Sequence, residues 1–336
     1  ETLQMPGEIA ETSQPIGASV GIAVCPDDAR DRQTLLSHAD TALYRAKNEG
    51  RGTYRYFEAA MGAAVRERRL LEHDLRNAIS RDELRLVYQP QKSIESGQVV
   101  GFEALLRWRH PTRGDVPPAE FIPLAEDTGS ILQIGEWVMR TACTEAAKWS
   151  RPLTIAVNVS AVQIHHANFA HTVHEILFET GLTPTRLELE VTETALVRDL
   201  NRALATLRRI KMLGVRIAMD DFGTGYSSLS NLRAFPFDKI KIDGSFIKSV
   251  NVNDQGAAIV RSVLGLGRAL NLAVLAEGVE TSAEFDFLKN EQCDEAQGFL
   301  LGRPAAIESF QLLTSSGAGI DEPSTVVPLA MRATLK

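Results

Sequence analysis

Between residues 84 and 300 one pattern recurs: a short run of strand character, followed in most cases by a longer stretch of helical periodicity. The strand-like runs cover residues 84–89, 99–108, 153–159, 187–191, 215–219, 239–243, 272–276 and 296–300. Apolar residues at helical spacing predict helices at 131–149, 169–180, 195–213 and 257–270. A helix between two strands carries the chain back across the sheet, so such strands pair in parallel. Eight of them over roughly 230 residues predict a closed (β/α)8 barrel; a doubly wound open sheet is the competing architecture.

In a TIM-like barrel the chemistry collects at the C-terminal ends of the strands. Those ends carry Glu103 and Arg107, Asn158, Glu190, Asp220 with Asp221, Lys241 with Asp243, Glu277 and Gln297. Seven of the eight strands thus deliver a charged or amide group. Strand alternation puts Glu103, Leu105 and Arg107 on one face, with Phe102, Ala104 and Leu106 on the other. Lys241 and Asp243 likewise share a face, opposite Ile240 and Ile242. The apolar sets are expected to pack on the helices and the polar sets to line the barrel mouth.

Glu103, Glu190, Asp220, Asp221 and Glu277 then place five carboxylates close together, a cluster too costly to keep ionised without cations. Carboxylates with the amide oxygen of Asn158 are hard ligands, suited to Mg²⁺ or Mn²⁺. Two divalent ions and Lys241 would bring such a site close to neutrality. A pair of ions about 3.5–4 Å apart suits in-line displacement at phosphorus, which makes phosphodiester hydrolysis the expected reaction.

Each of these residues has a plainer reading. A lone acidic residue on a strand usually faces solvent, and only the ordered combination argues otherwise. Asp220-Asp221 before Gly223 and Gly225 also suits an Asx turn, and Lys241 an ordinary ion pair. Asp221-Phe222-Gly223 spells a kinase triplet but lacks the accompanying phosphate and catalytic loops. His165, His166, His171 and His174 read as a solvated loop and helix start rather than a zinc site. Asn158-Val159-Ser160 fits a glycosylation sequon but falls in an expected buried strand.

A net charge of -7 argues against a nucleic-acid polymer as partner, which needs a basic face. It leaves room for a small anionic substrate, since bound metals reverse the sign of a pocket. Three widely spaced cysteines (Cys25, Cys143, Cys293) suit a reducing cytoplasm. No segment approaches the ~20 apolar residues of a membrane span, and no signal peptide opens the chain. A start at Glu1 rather than Met suggests an excised piece of a longer protein.

Before the barrel, residues 17–24 read as a strand, and Leu35, Leu36, Ala39, Ala42, Leu43 and Ala46 mark a helix that stops near Gly50. An amphipathic helix follows over 57–80, with Met61, Val65, Leu71, Leu75 and Ile79 on one side. Residues 315–336, rich in Ser, Gly and Pro, are expected to be poorly ordered.

Glu103-Ala104-Leu105-Leu106-Arg107 matches the signature of the EAL domains. The resemblance continues through Tyr88-Gln89-Pro90, Asn158-Val159-Ser160, Glu188 to Glu193, Asp220 to Gly225, Lys241-Ile242-Asp243, Ala276 to Thr281 and Gln297-Gly298-Phe299. It covers residues 62–312 in order, and the one departure, Phe299 where Tyr is common, is conservative. The resemblance implies hydrolysis of cyclic di-GMP to linear pGpG, with Glu103, Asn158, Glu190, Asp220 and Asp221 holding Mg²⁺ or Mn²⁺. It makes Glu277 a further ligand or general base, and Lys241 and Gln297 catalytic groups near the attacking water. Gln89, Glu103, Leu105, Arg107, Asp243 and Glu280 would contact the dinucleotide. Glu193 would anchor the loop after Asp221, which in the family couples catalysis to a homodimer.

Residues 17–57 resemble the end of a GGDEF domain, in Ser19-Val20-Gly21-Ile22-Ala23 and in His38 to Lys47. The Gly-Gly-Asp-Glu-Phe turn is absent, so this piece is not expected to make cyclic di-GMP and should be loosely folded or docked on the barrel. The expected organisation is a GGDEF remnant at 1–57, a connecting helix at 58–80, an EAL barrel at 81–314 and a tail, with sensor domains upstream in the parent chain. A cyclic di-GMP receptor without turnover, and an acidic-site barrel that enolises a carboxylate, are the rival readings.

Overall fold

The computed structural model describes residues 17–197, 199–223, 232, 234–251 and 254–315. The expected disordered tail, apart from Ser315, lies outside the described residues, as do Thr224 and Gly225 of the loop after Asp221. The chain divides into two units, Glu1–Arg81 and Asp82–Lys336.

In the first unit, β1 (Val20–Ile22) pairs in parallel with β2 (Tyr54–Tyr56), and α1 (Arg32–Asn48) connects them. The Asp31 carboxylate caps α1 by accepting the Thr34 N–H at 2.8 Å. Gly21 lets α1 lie directly on β1: a Cβ there would sit 2.1 Å from the Ala39 carbonyl oxygen. The strand expected over 17–24 is therefore short, because its partner β2 offers only three residues to pair with. The helix expected over 57–80 is α2 (Ala59–Asn77), which buries Met61, Leu71 and Leu75.

The second unit is a closed barrel of eight strands among the described residues. They are β3 (Leu84–Ser93), β4 (Val99–His110), β6 (Thr154–Val159), β7 (Leu187–Thr192), β8 (Arg216–Phe222), β9 (Lys239–Ile242), β10 (Ala273–Ala276) and β11 (Glu295–Ala296). Around the barrel the order is β3-β11-β10-β9-β8-β7-β6-β4, and β3–β4 pairing closes it. A short β5 (Gly114–Val116) adds to the outside of β4.

Three details depart from an all-parallel expectation. β3 runs antiparallel to both neighbours, because a tight connection rather than a helix joins it to β4. Glu103 therefore lies in the middle of β4, directly opposite Gln89, instead of at a strand end. The strand expected at 296–300 shrinks to Glu295–Ala296, because the chain turns back over Val279 at Gly298. Only glycine fits there: a Cβ at Gly298 would stand 2.1 Å from the Val279 carbonyl oxygen.

Around the strands pack α3 (Pro118–Thr128), which the apolar spacing did not announce, then α4 (Ile131–Ala147), α5 (Ala161–Ile164), α6 (Phe169–Thr180), α7 (Glu193–Val197), α8 (Leu200–Met212), α9 (Gly244–Ser249), α10 (Asp254–Leu270) and α11 (Ser282–Asn290). The strand sequences explain which side each residue takes. In β7, Leu187, Leu189 and Val191 are fully buried beneath the helices, while Glu188 and Glu190 point into the lumen. β9 repeats this as Lys239-Ile240-Lys241-Ile242. On these two strands polar side chains thus take the inside of the barrel, and apolar ones hold the helical ring at about 25 cal/mol per Å² of buried surface.

Candidate active site

Lys241 is the centre of the site. It is 1% exposed, and its Nζ lies 2.7 Å from Glu190 Oε2, 2.7 Å from Glu277 Oε1, 3.1 Å from Asp220 Oδ1 and 4.0 Å from Glu103 Oε1. Burial alone would strip its proton, but the surrounding carboxylates outweigh that and push its pKa well above the ordinary lysine range. It is a fixed positive charge.

One lysine does not balance five carboxylates. Burial, with the neighbouring Glu103, Asp220 and Glu277 charges, pushes Glu190 well above the usual carboxylate range. Burial, then Asp220 and Glu103, raises Glu277 to about 8. Asp221 is raised by burial and by its neighbours Asp220 and Asp243. Glu103 goes the other way. Burial opposes its charge, but Lys241 and hydrogen bonds from Gln297 and Asn158 hold its pKa below the ordinary value. Asn158 Nδ2 donates to Glu103 Oε1 at 2.6 Å, and Gln297 Nε2 donates to Glu103 Oε2 at 2.5 Å and to Gln89 Oε1 at 3.1 Å.

Two adjacent residues of a regular strand point to opposite faces, so Asp220 and Asp221 need an irregularity to act together. The structure supplies one. Asp221 has φ of 54°, and the β8–β9 ladder shifts register between Met219 and Phe222. Oxygens of Asp220, Asp221 and Glu277 consequently lie within 4.8 Å of one another.

This donor set fits hard divalent cations. It is all oxygen, carries surplus negative charge, and includes a buried Glu190 Oε1 with no hydrogen-bond partner among the described residues. Asn158 presents its nitrogen to Glu103; turning the amide by half a turn would present its oxygen instead.

The remaining expected residues surround this cluster. Gln89, Glu103, Glu277, Glu280, Gln297 and Phe299 line a cleft of about 210 Å³. Phe299 also borders a second cleft, of about 520 Å³, which holds Arg85, Arg107 and Arg303. Arg303 stacks on the Phe299 ring at 4.3 Å. Glu280 is exposed and paired with Lys248 at 3.0 Å. Leu105 sits opposite Val87 on the strand pair β3–β4. Asp243 follows β9 rather than belonging to it, and caps α9 by accepting the Ser245 N–H at 3.0 Å. Glu193 is buried at the start of α7, which packs on β7 and β8. A larger cavity of about 800 Å³ in the first unit, beside His38 and Phe57, includes none of the acidic cluster.

Sequence reasoning missed two groups. Gln91 donates to Gln297 Oε1 at 3.1 Å and steadies it from below. Glu188, Lys239 and Glu295 form a second charged layer deeper in the lumen. The signal was present for Glu188 and Lys239, since each lies two residues before a site residue on the same strand face.

Comparison with known proteins agrees with this geometry. Residues 72–304 match the EAL domain, and residues 1–53 match the GGDEF domain described as diguanylate cyclase. An uncharacterized signaling protein of Caulobacter vibrioides is 53% identical over 93% of this chain and 38% of its own length. The bifunctional diguanylate cyclase/cyclic di-GMP phosphodiesterase MucR of Pseudomonas aeruginosa is 45% identical over 93% of this chain and 46% of its own. The chain thus spans less than half the length of these curated relatives. The solved structure described as PaMucR phosphodiesterase in complex with c-di-GMP superposes with a TM-score of 0.69 at 46% identity, covering 72% of this chain and 99% of that one. The barrel, its inward-facing acidic cluster and these matches together make the chain a member of the EAL domain family.

Proposed function

We propose that the barrel hydrolyses one phosphodiester of cyclic di-GMP to give linear pGpG, with two Mg²⁺ or Mn²⁺ ions as cofactors. The observation that carries this reading is the convergence of four carboxylates on Lys241, with Asp221 beside two of them, at the mouth of an EAL barrel. The activity named for MucR and the ligand of its solved complex support the choice of substrate. Glu103, Asn158, Glu190, Asp220, Asp221 and Glu277 would hold the ions. Bound ions would supply charge stabilisation at phosphorus and activate water at neutral pH.

The chain's own residues do the rest. Lys241 keeps Glu190, Asp220 and Glu277 within hydrogen-bond reach of one point and offers a fixed cation to a phosphate oxygen. Gln297, held by Gln89, Gln91 and Glu103, orients the water side of the site. Glu277, held 2.7 Å from Lys241 beside Asp220 and Asp221, is placed to serve as a ligand or as a general base. Gln89, Leu105, Arg107, Asp243 and Glu280 position the dinucleotide, and the two clefts that share Phe299 give its two halves separate places. Glu193, at the start of the helix α7 that packs on β8, would anchor the loop after Asp221.

The same reading takes residues 1–57 as the end of a GGDEF domain, 58–80 as a connecting helix and 81–314 as the EAL domain of a longer, cytoplasmic-facing chain with regulatory domains upstream. No helix among the described residues is long and apolar enough to cross a membrane. The active form is proposed to be a homodimer, which a mass measurement in solution tests.

The decisive experiment is chromatography of cyclic di-GMP incubated with the chain and Mg²⁺, with and without EDTA. Metal-dependent pGpG is the expected product. Substrate that binds in a calorimetric titration yet stays intact would replace the reading with a receptor. Metal should also stabilise the fold, by about 2.7 kcal/mol when present at a hundred times its dissociation constant. Melting curves in EDTA and in millimolar Mg²⁺ that coincide would remove the acidic cluster as the metal site.

A further inference from the structure

Beneath the cluster the barrel carries a second charged layer. Lys239 is 1% exposed; its Nζ lies 2.7 Å from Glu188 Oε1 on β7 and 2.8 Å from Glu295 Oε2 on β11. Glu188 is itself fully buried and meets Arg216 at 3.3 Å. Barrel interiors are usually filled by branched apolar side chains. Replacing a buried ion pair with well-packed apolar groups is often neutral or stabilising, so stability alone does not account for these charges.

Their position does. Glu188, Lys239 and Glu295 each lie two residues before a residue of the site: Glu190, Lys241 and Gln297. Their strands, β7, β9 and β11, are alternate strands of the barrel and share no backbone ladder. Between them β8 is irregular. Its pairing with β9 holds at Ala218–Lys239 and Met219–Ile240, then jumps to Phe222–Ile242, so Lys241 stands at the break. The irregularity that turns Asp220 and Asp221 together thus removes the regular β8 tie at Lys241, which keeps its pairing with Leu275 on β10 alone. Ala218, which pairs with Lys239 on one side and Glu190 on the other, is small enough to let the lysine reach past it to Glu188.

We propose that Lys239, through Glu188, is a positioning residue that holds β9 to β7 across this break and so sets the height of Lys241 and Glu190 in the site, while Glu295 on β11 completes the charge pairing of the lysine. The inference rests on the metal-dependent phosphodiesterase reading above. Lys239 is buried beneath the site and acts only through Lys241 and Glu190.

The test is the variant Glu188→Gln/Lys239→Met/Glu295→Gln, which removes all three charges of the layer, compared with the single change Glu295→Gln, which keeps the β7–β9 tie. Mn²⁺ affinity by calorimetry and kcat and KM for cyclic di-GMP are measured at a temperature where melting curves show each protein folded. The triple variant is expected to lose about 10–100-fold in Mn²⁺ affinity and in kcat, as outer-shell partners of metal sites do, with KM little changed. The single variant is expected to stay near the wild type. A folded triple variant with wild-type affinity and kcat overturns the proposal. If the triple variant does not fold, Glu188→Gln/Lys239→Met, which leaves the partly exposed Glu295, is measured in its place. Loss of folding in both also overturns it, since the layer would then be purely structural. A wild-type chain that binds Mn²⁺ but leaves cyclic di-GMP intact overturns the activity instead, and the affinity comparison still stands.

Discussion

Glu103→Ala is expected to reduce turnover of cyclic di-GMP by more than about 100-fold, beyond the loss typical of outer-shell partners of a metal site. Glu103 is the carboxylate of the cluster that the structure works hardest to keep charged. Asn158 and Gln297 both donate to it, and Lys241 lies 4.0 Å away. Its pKa is held down while those of Glu190, Asp221 and Glu277 are driven up. The fold should tolerate the change. Asn158 is exposed and can turn to water, and Gln297 keeps Gln89 as an acceptor, so the cost is on the order of 1–3 kcal/mol. Glu103→Gln separates charge from shape, because it preserves the side-chain volume and removes only the anion. Equal losses in the two variants identify the charge as the essential property. Turnover within tenfold of wild type in either variant, read by the same chromatography, would remove Glu103 from the metal-binding set.

How much of this could be read from sequence differs from residue to residue. β7 and β9 were legible because Leu-Glu-Leu-Glu-Val and Lys-Ile-Lys-Ile alternate in strict period two, and in a barrel that period separates lumen from helical ring. The ends of the strands named the acidic cluster for the same reason. The reversed direction of β3 was hidden. A strand's own residues do not encode its direction, and only the shortness of the link to β4 hinted at a hairpin. The pairing of Asp220 with Asp221 was equally hidden. It depends on a positive φ at Asp221 and a slipped ladder, neither of which strand periodicity predicts. Glu295 was missed because its strand is two residues long, too short for any periodic signal. α3 escaped because it is only 11 residues long and Pro123 falls inside it, which reads as a helix breaker.

Lys241→Met should lower the stability of the metal-depleted chain by about 3–5 kcal/mol at pH 8, the usual cost of leaving a buried charge without its partner. The loss should grow with pH. Glu277 has a folded-state pKa of about 8 against an ordinary value of 4.5, so between these limits the folded chain holds more protons than the unfolded one. Stability from this group is complete below 4.5 and is lost as pH rises through about 8. Glu190, also raised, adds to the same slope. Lys241 is raised above 10.5, so its own contribution is intact throughout this window, where it offsets part of the carboxylate repulsion. Removing it lets Glu190 and Glu277 rise further. The melting temperature of the variant in EDTA should therefore fall more steeply from pH 5 to 9 than that of the wild type, by about 2–4 °C for each kcal/mol. Millimolar Mg²⁺ should flatten the wild-type profile, because ions bind the deprotonated carboxylates and reward their ionisation. A gap between variant and wild type that stays constant across this range would mean that Lys241 does not neutralise the cluster, and its assignment as the central cation would fall with it.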